Sequence, residues 1–287
     1  MAIRKILVSV DGSAAARPVL ETALAVGRRL SAHVEALHVR PDPRDSIPLV
    51  GEGMSGAMIE ELITITETEG AARAGKARAL FEQACAAGAV PVAVTPAAAG
   101  FSAAWREETG REDETMAVHG RLADLVVVGR PTVESDAAAR MTLNAVLFET
   151  GRPVLVAPAQ PPATLGRTVA IAWNGSAEAA RAIGAALPLI ERAEATAVLS
   201  IASGGAEDGS AADVVGYLGW HGIAAEGRMV NADGGLGGIG EALLAACAGV
   251  DLLVMGAYTH SRWRELILGG TTRHVLEHAS MSLLMAH

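Results

Sequence analysis

The chain has 287 residues, 51% hydrophobic and 19% charged, enough for two domains of ordinary size and too apolar for a disordered chain. A formal net charge of −9 excludes a non-specific nucleic-acid binder, because phosphate contacts need a surplus of Lys and Arg. Aromatics at 3% leave the core to Ala, Val, Leu and Ile, which suits parallel strands covered by helices.

The first apolar run, Ile6-Leu7-Val8-Ser9-Val10, stops at Asp11-Gly12 and is too short for the apolar region of a signal peptide. No stretch of about 18 uncharged apolar residues follows anywhere, so no membrane span is expected and a cytoplasmic address follows by default. Ser13 is placed as the N-cap of an Ala-rich amphipathic helix. Period and β-branched content place further strands at 33–39, 91–96, 123–129 and 153–157, after the first at 5–10. Residues 40–70 carry Pro41, Pro43, Pro48, Gly51, Gly53 and Gly56, and read as a long loop, a lid or a decorated surface, that leads into a helix at 57–88. Pro158, Pro161 and Pro162 mark a linker. Beyond it strands are expected at 168–173, 195–202, 224–230, 251–256 and 282–286, with Ser176 as a second N-cap.

The two sets are copies of one pattern. ILVSVDGS at 6–13 matches VAIAWNGS at 169–176, each followed by an Ala-rich helical stretch. ADLVVVG at 123–129 and VDLLVMG at 250–256 close the correspondence. Strand-helix alternation in each half means an α/β fold. The expected architecture is two tandem doubly wound five-stranded sheets, mostly parallel, over residues 1–158 and 166–287, related by a pseudo-two-fold axis. The terminal strands 153–157 and 282–286 are the candidates to pair antiparallel across it. Pairing within the chain leaves a homodimer open.

Doubly wound sheets bind ligands beyond the carboxyl ends of their strands. The most informative such segment is 251–276: a strand ends at Gly256, and Gly269-Gly270-Thr271-Thr272 opens the next helix. Free amides and the dipole at a helix start favour phosphate, and glycines let backbone approach it. Simple turn-making is the competing reading of those glycines. In the first half Gly129 is followed by Arg130-Pro131 and then by Glu134 and Asp136, with no glycine pair, so that half reads as degenerate for a triphosphate.

Other patterns are weaker. Gly235, Gly237 and Gly240 spell GxGxxG, but after the third strand of their half, and read as a loop and helix start. His274 and His278 are four apart on a helix, near its C-terminal end, without a third metal ligand. Cys85 and Cys247 sit in Ala-rich helices and read as buried thiols. No serine has a GxSxG context.

The repeat order, the VDGS after the first strand and the 251–276 segment together resemble the universal stress protein family, whose fold is shared with adenine nucleotide alpha-hydrolases. The resemblance spans nearly the whole chain as a tandem member. ATP-binding members carry Gly-x2-Gly-x9-Gly-Ser/Thr after the fourth strand. Gly256 matches the first glycine and Gly269 the third, while Thr259 replaces the second and Gly270 stands at the Ser/Thr position. The resemblance implies ATP or AMP in the second half. Gly256, Gly269, Gly270, Thr271 and Thr272 would line the phosphates, Ala172, Trp173, Asn174 and Ile201 would border adenine and ribose, and Met255 and Thr259 complete the implied nucleotide site. Asn174 stands where the family has Asp and keeps an acceptor without the charge; a β-branched Thr259 suits a positive φ poorly. Function is thus expected to be nucleotide-binding regulation in a stress response, with a nucleotide-free interaction protein and a slow ATPase as the alternatives.

Overall fold

The computed structural model describes residues 2–43, 55–94, 100–131, 137–202, 210–231, 235–258 and 270–287. The elements in chain order are β1 Lys5–Ser9, α1 Ala16–Leu30, β2 His33–Arg40, α2 Gly56–Ala87, β3 Ser102–Thr109, α3 Glu112–Gly120, β4 Leu125–Gly129, α4 Ala137–Glu149 and β5 Val154–Ala157. The second run is β6 Thr168–Trp173, α5 Ala177–Ile190, β7 Ala195–Ala202, α6 Ala211–Trp220, β8 Glu226–Asn231, α7 Gly235–Ala246, β9 Leu252–Gly256, α8 Gly270–His278 and β10 Ser282–Ala286.

All ten strands join one sheet in the order β3-β2-β1-β4-β5-β10-β9-β6-β7-β8. Every pairing is parallel except that of β5 with β10. The central strands are continuous apolar runs, LVVVG in β4 and LLVMG in β9, because helices cover both faces. Helices α1, α2, α5 and α6 bury Leu20, Phe81, Ile183 and Leu218 on one face. Helices α3, α4, α7 and α8 bury Met116, Leu143, Leu243 and Val275 on the other.

The second five strands repeat the register of the first. Ser9 pairs with Leu37 as Ala172 pairs with Leu199, and Gly129 meets Ala157 as Gly256 meets Ala286. Asp124 accepts from the amides of Arg4 and Lys5 at the entry to β1, and Asp251 does the same for Arg167 and Thr168 at β6. At the seam Leu155 faces Leu284, which are equivalent residues of the two runs, so the pseudo-two-fold axis passes between them. Arg29 bonds the carbonyl of Arg192, again its own equivalent. The expected antiparallel pairing of the two terminal strands is therefore present.

The 57–88 helix is observed as α2, and Ser176 caps α5 by accepting from the Ala179 amide at 3.1 Å. Two expectations differ. The third strand is 102–109 rather than 91–96; Val92 makes only an isolated bridge to Ala103. Strand β3 escapes a hydrophobic reading because its outer half is charged. Arg106 pairs with Glu35 at 3.2 Å and Glu107 with Arg40 at 3.0 Å, so ion pairs to β2 replace apolar alternation near the sheet margin. Ser13 does not cap α1, which begins at Ala16 with Ala15 at the N-cap position and no side-chain bond there. Residues 235–240 form the first turns of α7, the helix start read from the sequence, and Gly240 is small because His274 of α8 packs against it: an added Cβ would sit 2.8 Å from His274 Cδ2. Of the proposed lid, 44–54 lies outside the described residues.

Candidate functional site

The turn after each first strand is built alike. Asp11 Oδ1 accepts from the Ser13 amide at 2.9 Å, and Asn174 Oδ1 from the Ser176 amide at 3.2 Å. Each turn needs a positive φ at its glycine, +80° at Gly12 and +76° at Gly175. Asn thus replaces Asp without loss of the turn, because the structural task uses a neutral-capable acceptor.

In a sheet ordered 10-9-6-7-8 the switch point lies between β6 and β9. Ala172, Trp173 and Asn174 finish β6, and Met255 and Gly256 finish β9 beside it, with Ala172 paired to Met255. Helix α8 runs back against β9 and β10, so its first turn, Gly270, Thr271 and buried Thr272, stands at the same sheet end. Ile201 ends β7, on the far side of β6, paired with Val230. Thr259 and Gly269 lie outside the described residues, as do Glu134 and Asp136. The Trp173 indole N–H and the Tyr258 hydroxyl, both at this end, are buried without a partner among the described residues. Tyr258 takes φ +59°, and burial pushes its hydroxyl up to about 12, so it stays a neutral donor.

Gly256 has a reason of its own to lack a side chain. An added Cβ would lie 2.6 Å from the Ala179 amide nitrogen and 2.9 Å from the Glu178 backbone. The backbone that comes close is thus the first turn of α5.

A comparison with known families matches residues 2–146, half of the chain, to the universal stress protein family. The chain belongs to that family. No curated protein matches it by sequence. A universal stress protein from Archaeoglobus fulgidus DSM 4304 is similar in structure at 16% identity, covering 98% of this chain and 95% of its own, with a TM-score of 0.67. A functionally unknown protein from Pseudomonas aeruginosa PAO1 is 14% identical, covers 99% and 92%, and has a TM-score of 0.54. Both show the same fold along the whole length of the universal stress chain.

The N-terminal carboxyl end of this universal stress fold holds groups that sequence spacing did not reveal. Ser9, the last residue of β1, donates to Glu112 Oε1 at 2.5 Å, although 103 positions separate them. Burial, then Asp11 and Asp113, push the Glu112 carboxyl above its usual range against the Ser9 bond and Arg73. A groove of about 350 Å3 lies between the Asp11-Ser13 turn and α2, with Glu69, Arg73 and Lys76 on the helix side. His38 is buried, stacks on Trp105 at 6.0 Å, and gives Nδ1 to the Val10 carbonyl at 2.7 Å, leaving Nε2 without a partner among the described residues. Arg130, after β4, crosses the seam to the Met281 carbonyl at 2.6 Å, and burial lowers it to about 10.

Metal and thiol chemistry find no footing among the described residues. No group of three or more His, Cys, Asp or Glu side chains could hold a metal. His274 and His278 stack at 4.3 Å, and His278 Nδ1 lies 2.9 Å from the His274 carbonyl in the last turn of α8. Both cysteines are free and buried, and burial raises the Cys247 thiol to about 11, far from a reactive thiolate. No described helix is long and apolar enough to cross a membrane.

Proposed function

We propose that this universal stress protein is a tandem duplication acting as a cytoplasmic stress-response regulator, and that it binds adenine nucleotide, ATP or AMP, in its C-terminal half. One observation carries the reading. Parallel β6 and β9 lie side by side and bring Asn174, Gly256 and the Gly270-Thr271-Thr272 helix start to one sheet end. Free amides and the positive dipole end of α8 face that end, which favours a phosphate group. Thr271 and Thr272 add hydroxyl donors, and the Ala172 methyl offers an apolar contact for a base. The choice of adenine comes from the family pattern at Gly256 and Gly269.

Calorimetric titration with ATP and with AMP tests this. The wild type binds one of them, and Thr271→Glu weakens binding by at least about tenfold through charge repulsion. An acidic residue in a first helical turn favours the helix, so the fold survives the change. Equal binding by the variant, or none by the wild type, removes the site. The tight packing of α5 on Gly256 favours a second reading, an interaction protein without nucleotide, which a silent titration would leave standing.

A further inference from the structure

The two crevices differ at the floor, and the difference can be read residue against residue. In the sheet register Ser9 of β1 is the equivalent of Ala172 of β6. Thr109 pairs with Arg40 as Asn231 pairs with Ala202, so the helices that follow, α3 and α7, also correspond. Helix α3 opens with Glu112, whereas α7 opens with Gly235. In the N-terminal half, therefore, a hydroxyl at the end of the central strand is joined at 2.5 Å to a carboxyl from the next helix but two. In the C-terminal half the position of Ser9 is taken by Ala172, a methyl with no hydroxyl to donate.

We propose that the Glu112 side chain, anchored on Ser9, stands over the base end of the N-terminal half and keeps a nucleoside monophosphate out of it, a triphosphate being disfavoured there already by the turn after Gly129. The proposal rests on the reading that the C-terminal half binds adenine nucleotide. Glu112 reaches over the last side chain of β1, one of the two strands flanking the switch point, where a base or ribose would lie. The site is also electrostatically hostile to a phosphorylated ligand. Asp11 and Asp113 stand near Glu112, with Arg73 as the opposing cation that its carboxyl senses. The turn that would receive the sugar is otherwise intact, since Asp11, Gly12 and Ser13 keep the geometry of Asn174, Gly175 and Ser176. What separates the two halves at the base end is thus a side chain that can be removed.

The test is nucleotide stoichiometry by native mass spectrometry and calorimetry on the full chain, with ATP and AMP as probes. Wild type is expected to take one nucleotide per chain, and Glu112→Ala two when AMP is the probe, since the turn after Gly129 does not suit a triphosphate. Ser9→Ala releases the carboxyl without shortening it and is expected to behave like Glu112→Ala; it decides the matter if the alanine variant does not fold. Glu112→Gln keeps the size and the hydrogen bond and should stay at one. Two nucleotides on the wild type, or one on folded Glu112→Ala and Ser9→Ala, overturns the plug while the C-terminal site stands. None on the wild type but one on the variants supports the plug and refutes the C-terminal site. None on any of them refutes both.

Discussion

Adding a single methyl group at Gly256 separates two explanations for its conservation of space. The Cβ of Gly256→Ala would sit 2.6 Å from the Ala179 nitrogen, where ordinary contact begins at 3.4 Å, and two further atoms of Glu178 lie at 2.9 Å. Two of those three atoms are backbone in the first turn of a helix, so no rotamer change relieves the clash and α5 must retreat by about 0.8 Å. Helix α5 packs on β9 and β10 through Ile183, Ala186 and Leu187, all buried, so the retreat opens the core beneath it. Overpacking costs typically about 1–3 kcal/mol, and a backbone neighbour places this case near the top. For a chain of this size about 3 kcal/mol lowers Tm by roughly 6 °C. The equivalent Gly129→Ala meets only Val19 Cγ2 at 3.2 Å, a side-chain methyl that can turn away, and should cost under about 1 kcal/mol. Scanning calorimetry of both variants without ligand measures the pair. Equal losses, or a smaller loss at Gly256, would refute the idea that helix packing rather than a ligand dictates this glycine.

Two other outcomes follow from the seam and from Glu112. Since β5 and β10 join both runs into one sheet, with Leu155 and Leu284 fully buried at the axis, heating should give one cooperative transition, and Leu284→Ala should lower it by about 3 kcal/mol; two separate transitions in the wild type would contradict a shared core. Glu112 has a folded pKa above its unfolded one, so its protonated form contributes stability that is present at acid pH and lost as pH rises from the unfolded value through the folded one. Glu112→Gln, with the same Ser9, Asp11, Asp113 and Arg73 around it, should therefore gain stability relative to wild type between about pH 4 and neutrality, read as a Tm difference that grows with pH; a constant difference refutes the raised pKa.

The sequence revealed most where physics is local. Strands β4 and β9 are unbroken apolar runs, so each was legible from its own residues. Strand β3 was not, because its outer half carries charges that pair with β2, and a run such as Trp105-Arg106-Glu107-Glu108 has no strand period of its own. The Ser13 cap failed for a similar reason: the Asp11 carboxylate takes the Ser13 amide and the helix starts three residues later. At the carboxyl ends of β6 and β9, the placement of Asn174 and Gly256 was legible because an internal copy existed to align them with. Ser9 and Glu112 were invisible, since Glu112 lies in the charged run Arg111-Glu112-Asp113-Glu114, which alone describes only a solvated helix start. Their meeting is a property of strand order, and strand order is what single-sequence patterns encode least.

The antiparallel ladder between β5 and β10 also limits what the molecule can do with others of its kind. Each of these strands offers one side to its own half and the other to its opposite number, so both are saturated within a single polypeptide. A fold unit with such a border unspent can recruit an identical unit through it. Here that valence is closed, and any association between copies has to begin from the flanks, near β3 and β8, or from the helical faces.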